Sequence, residues 1–205
     1  MPSKKNNDVI TAAALEKYLK EVRACCHCAD VLPLGCRPIL RVKITARILI
    51  AGQAPGIKVH ESGIPWNDPS GDRLRSWLGL DRKQFYDDTQ IAIISMGFCY
   101  PGRSPRGGDL PPRPECAELW LEKLLSFLPN LETTILAGAY AQKWYLGKEA
   151  KRTLTETVEN WKDWAPRYFP VPHPSFRNNH WLKKNPWFEK DLVPVLQKRM
   201  KKLLH

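Results

Sequence analysis

The sequence predicts an α/β domain, a three-layer α/β/α sandwich around a mostly parallel central sheet. Two observations carry the prediction. Four short runs rich in apolar residues are spaced along the chain, as strands covered on both faces require. Helix-forming segments separate them, and alternation of this kind builds a sheet with helices on both sides. The 205 residues, 43% apolar and 26% charged, fit one domain over 1–205 with a single sizeable core. That composition excludes a disordered or fibrous chain.

The elements follow in order. From Asp8 to Arg23, the residues Ile10, Leu15, Tyr18, Leu19 and Val22 fall on one helical face. Residues 46–51 form the first strand, which ends at Gly52. A loop leads to a helix over Ser70–Leu78, closed by Gly79, the residue type that tolerates left-handed backbone. Residues 91–96 are the second strand. The Gly/Pro-rich stretch Gly97–Pro112 comes next, and a loop longer than about 12–15 residues in a compact domain is usually functional. A helix starts near Pro114, a third strand spans 133–138, and a helix follows Gly138. Residues 167–171 are a fourth short strand. A last helix begins at Pro186, with a kink or break expected at Pro194.

There are 32 basic and 21 acidic side chains, a net charge of +11, which favours a polyanionic partner because Lys and Arg release counterions from phosphates. No apolar run approaches the roughly 20 residues that span a bilayer. The segment Met1–Asp8 is polar and carries no secretory signal. A cytoplasmic protein with no membrane partner is expected. Six cysteines are too few and too unevenly spaced for a disulfide scaffold, which leaves metal ligation or simple burial. In parallel sheets ligands bind at the carboxyl ends of strands. The loops at 52–71, at 97–112 and after Pro172 sit there.

The first strand runs into Gly52-Gln53-Ala54-Pro55-Gly56 and then Gly63-Ile64-Pro65-Trp66-Asn67-Asp68-Pro69-Ser70-Gly71; the fourth runs into His173-Pro174-Ser175-Phe176-Arg177-Asn178. In this order the set resembles the uracil-DNA glycosylase superfamily, with its Gly-x-x-Pro motif after an early strand and its His-Pro-Ser motif near the C-terminus. The resemblance is strongest over 22–192. Cys25, Cys28, Cys99 and Cys116 are similar to the four cysteines that hold a [4Fe-4S] cluster in the iron–sulfur, family 4-like branch. Zinc also suits four thiolates, and reduced structural cysteines remain a further alternative. Cys26 and Cys36 match no family position.

The resemblance implies a monofunctional glycosylase that extrudes uracil or another deaminated base from DNA and hydrolyses its glycosidic bond. Acting as a monomer, it would open base excision repair. His173 matches the residue that stabilises the departing base by donating a hydrogen bond. Trp66 matches the aromatic on which the base stacks, and Ser95 falls where many members carry an Asn that reads the uracil edge. Gly52 and Ala54 complete the base-binding set. The family's usual acids are replaced here by Gln53 and Ala54. Asp68 is the nearest acid, in a stretch similar to the Asp-x-Ser-Gly of another branch, and it is equally well suited to cap a helix. Ser175, Phe176, Arg177 and Asn178 are expected to enter DNA, with Lys183 and Lys184 on phosphates. The alternative is a uracil- or damaged-DNA-binding protein of the same fold with little or no turnover. Covalent trapping through a loop His is disfavoured, since 97–112 carries Arg103 and Arg106 but no His. An RNA-binding module lacks its aromatic strand signature.

Overall fold

A computed structural model describes residues 11–105 and 107–204. The expected helical start at Asp8 and Ile10, and Arg106, lie outside the described residues. Four strands are present: β1 (Ile48–Ala51), β2 (Ile91–Ile93), β3 (Thr133–Ala137) and β4 (Tyr168–Val171). They pair in the order β2-β1-β3-β4, and every pairing is parallel.

Each strand sends alternate side chains to opposite faces, and helices cover both. On one face Leu49, Ala51, Ala92, Ile94 and Leu136 pack with residues of α1 (Ala12–Arg23), α5 (Pro114–Ser126) and α6 (Ala139–Leu146). On the other, Ile48, Ile50, Ile91, Ile93, Ile135, Phe169 and Val171 pack with α3 (Pro69–Leu78), α7 (Leu154–Glu159) and α9 (Val193–Leu204). Three shorter helices complete the described set: α2 (Ile57–Ser62), α4 (Arg82–Phe85) and α8 (Asn179–Lys184). None of the described helices is long and apolar enough to cross a membrane.

The architecture is the expected α/β sandwich, here with all four strands parallel. Differences lie at the edges. The first helix starts at Ala12 because the Thr11 hydroxyl caps it, accepting from the Ala14 N–H at 3.0 Å. The first two strands are shorter than their apolar runs. At the end of the chain the ladder widens into a π-turn over Phe188–Leu192 and returns to α-helix at Val193. Pro194 therefore lies just past the widened turn of a continuous helix, and the widening accommodates its ring and its missing N–H without breaking the helix.

Parallel strands bring all four carboxyl ends to one edge. From β1 the chain proceeds to β2 on one side, while β3 and β4 lie on the other, so β1 and β3 flank a topological switch point. Gly52 follows β1 and Gly138 follows β3, which sets the floor of a cleft between them.

Candidate active site

Two glycines shape that floor by close approach. A Cβ on Gly52 would lie 2.7 Å from the Trp66 ring and 3.2 Å from the Ser95 hydroxyl. A Cβ on Gly138, which has φ +90°, would meet His173 at 3.3 Å. The rings of Trp66 and His173 pack together with centroids 5.6 Å apart and planes inclined by 34°. Trp66 is 8% exposed and sits at φ +57°, a left-handed conformation uncommon for a bulky residue and costly unless its surroundings fix it. The buried Arg75, donating from Nη1 to the Trp66 carbonyl at 3.3 Å, is one such restraint.

His173 is partly buried, and burial pulls its imidazole down to about 4, so the ring is neutral at pH 7. The Ser175 N–H donates to its Nδ1 at 3.3 Å, which leaves the ring proton on Nε2. The turn beyond is held from inside. The Asn178 side chain donates to the His173 carbonyl at 2.7 Å, the Ser175 hydroxyl accepts from the Arg177 N–H at 3.3 Å, and Arg73 of α3 donates to the Ser175 carbonyl at 3.2 Å. Phe176 stands at the tip, 72% exposed. Lys183 and Lys184 are exposed on α8, a helix the sequence reading missed.

Asp68 caps α3: its Oδ1 accepts from the Gly71 N–H at 2.8 Å, with Pro69 at the first helical position. Burial pushes its carboxyl up, opposed by the backbone bond from Gly71. Gln53 is half-buried and donates to the Leu110 carbonyl at 3.4 Å; Ala54 lies beside it against Gly97. The 97–112 stretch folds back over this edge, and Arg177 Nη1 donates to the Gly107 carbonyl at 2.9 Å. Arg177 thus joins two loops besides facing solvent. Asp109, Arg73 and Arg75 were not singled out from sequence. An arginine on the apolar side of the α3 periodicity was a usable signal for Arg75; loop residues such as Asp109 carry none.

The four cysteines set apart by spacing come together around a cavity of their own. Cys25, Cys28, Cys99 and Cys116 line one cavity with Leu32, Phe98 and Trp120. The Cys116 sulfur accepts from the Phe98 N–H at 3.3 Å, and burial pushes its thiol up to about 12. Among the described residues, no three His, Cys, Asp or Glu side chains form a group able to hold a metal ion. Cys26 and Cys36 stand next to one another, a contact that pushes the Cys36 thiol up to about 11.

A family model described as the uracil DNA glycosylase superfamily matches residues 41–197, which include both motif loops, the whole sheet and the start of α9. The match runs over most of the chain and covers the cleft from end to end: the chain belongs to the uracil DNA glycosylase superfamily.

Proposed function

We propose that this protein is a monofunctional DNA glycosylase that hydrolyses the glycosidic bond of uracil or another deaminated base, opening base excision repair. The observation that carries the reading is His173: a neutral imidazole, its proton on Nε2, fixed against Trp66 at the switch point of the sheet. As the base leaves, negative charge grows on its carbonyl oxygen, and a preset donor strengthens as that charge builds. A neutral donor suits this task because it needs no proton taken up beforehand.

The remaining residues divide by task. Trp66 stacks on the extruded base, with Gly52, Ala54 and Ser95 around it. Phe176 enters the vacated stack, and Ser175, Arg177, Asn178, Lys183 and Lys184 meet the backbone. Gln53 and Asp68 flank the water side; an amide can hold a water but cannot take its proton at neutral pH.

The cofactor belongs to the same reading. Cys25, Cys28, Cys99 and Cys116 would hold a [4Fe-4S] cluster, as in the iron–sulfur branch. The donor set fits: four thiols and no carboxylate line a cavity whose other walls are mostly apolar, with His27 and Arg113 also on it, and a cubane spreads its thiolates over four separate irons where a single ion gathers them at one point. When bound, the cluster would supply a cross-link between segments 25–28, Cys99 and Cys116.

The acid-free motif at Gln53 and Ala54 favours the second reading, a damage-binding protein with little turnover. One assay separates them. Oligonucleotides carrying uracil, hypoxanthine or xanthine are incubated with the protein, and abasic products are revealed by alkaline scission. Scission at any of the three supports the glycosylase. Tight binding with no scission favours the binding protein.

A further inference from the structure

We propose that Asp109 is the carboxylate that takes the proton of the attacking water, supplying from the long loop the acid missing at Gln53 and Ala54. The inference rests on the glycosylase reading above.

The first motif has no acid of its own, and Asp68 is committed elsewhere. Its carboxylate accepts backbone bonds from Gly71 and Ser70 at the start of α3. Asp109 approaches the motif from the long loop. Its Oδ2 stands 3.2 Å from the point a Cβ on Gly56 would occupy, so the carboxylate rests directly over the motif backbone. A side chain at position 56 would crowd it.

The loop is built to hold that position. Residues 102–104 and 108–110 run antiparallel to one another: the Leu110 N–H donates to the Gly102 carbonyl at 2.8 Å, the Ser104 N–H to the Gly108 carbonyl at 2.7 Å, and the backbones of Arg103 and Asp109 pair as an antiparallel bridge. The fold-back is tied down at two points, by Arg177 to the Gly107 carbonyl and by Gln53 to the Leu110 carbonyl. Gly107 and Gly108 have φ of +82° and +81°, and a Cβ on either would strike the Arg177 guanidinium. Arg177 therefore fixes the loop while standing near the carboxylate.

The Asp109 carboxylate accepts no hydrogen bond from a described residue, leaving its oxygens available. The charged and titratable groups facing it are Arg177 from the His-Pro-Ser loop, Arg103 from its own loop, Asp68 at the start of α3, and Tyr100. Partial burial raises its carboxyl above the ordinary range, Arg177 and Arg103 oppose that rise, and Asp68 adds to it. In the reaction the C1′–N bond breaks and its electron pair departs with the base, which His173 stabilises. A lone pair of water forms the C1′–O bond. The proton lost by that water passes to Asp109 and then to solvent or the base anion.

The test compares Asp109→Asn and Asp109→Glu with the wild type in single-turnover cleavage of a uracil-containing duplex. DNA affinity and the urea midpoint are read alongside. Asn is expected to leave affinity and stability unchanged and to lower the rate by about 10²–10⁴-fold, the usual share of a positioned base, with Glu recovering part of it. The wild-type rate should fall as pH drops through the raised carboxyl range, and Asp109→Asn should lose that limb. A loop-holding residue would not move the profile. An Asn variant within about threefold of an active wild type overturns the role of Asp109 alone, because a general base contributes far more. A wild type inactive on uracil, hypoxanthine and xanthine overturns the glycosylase reading and this inference with it.

Discussion

Replacing Gly71 by Ala should damage both stability and catalysis, though Ala is ordinarily the better helix former. A Cβ on Gly71 would fall 1.8 Å from the Trp66 carbonyl oxygen and 2.6 Å from its carbon, where nothing under 3.0 Å is tolerated. Both atoms are backbone, so no rotamer change relieves the clash. The first turn of α3 or the Trp66 peptide must move by about 1.2 Å to restore 3.0 Å. Trp66 has little slack, being already at φ +57°. The shift breaks the Asp68 cap, worth about 1 kcal/mol, and the Arg75 bond to the Trp66 carbonyl, worth about 1.5–3 kcal/mol for a charged donor. Ala returns about 1 kcal/mol of helix propensity. The net loss of about 2 kcal/mol should lower the urea midpoint by roughly 1 M at an ordinary m-value. Displacing Trp66, on which the base would stack, by that distance should also cost about 10²-fold in single-turnover rate. A wild-type midpoint and rate in Gly71→Ala would refute the close-approach argument.

Protein purified without air should be brown and carry near-stoichiometric iron and sulfide, and Cys116→Ser should lose the colour; colourless, iron-free protein after reconstitution removes the cluster. DNA affinity should fall linearly with salt on a log–log plot, and Lys183→Ala should flatten the slope by about 0.9, one phosphate's worth. An unchanged slope means that Lys183 meets no phosphate. Phe176 is 72% exposed, so Phe176→Ala should leave the urea midpoint unchanged while weakening damaged-DNA binding. Equal affinity for damaged DNA in both proteins takes Phe176 out of the stack.

The sheet was legible because its strands are covered on both faces and therefore read as apolar runs. Helix α3 was legible through its ends, with Pro69 entering and Gly79 leaving at φ +66°. The helices α2, α4, α7 and α8 were not. At 6, 4, 6 and 6 residues they are too short to show a period and depend on packing for their existence. In the site, the motif glycines and His173 stood out because strand ends concentrate chemistry. Asp68 was legible as a helix cap, and the sequence left an acid role equally open because capping and acid catalysis ask for the same residue type. Asp109 was not, since its approach to Gly56 spans 53 positions of sequence and depends on a loop tied down by Arg177. The same contact gives Arg177 a structural task that its charge alone did not disclose.

The account centres on a neutral His173 that supports the departing base, and release of free base measures this directly. Duplex DNA with a single uracil is incubated in excess wild-type or His173→Ala protein, and freed uracil is quantified together with alkali-labile sites. Wild-type protein should release uracil and leave one labile site per base freed. His173→Ala should bind the duplex and release uracil about 10²–10³-fold more slowly, the usual loss for one preset donor. No free base from the wild type, or release by His173→Ala at the wild-type rate, would contradict the account.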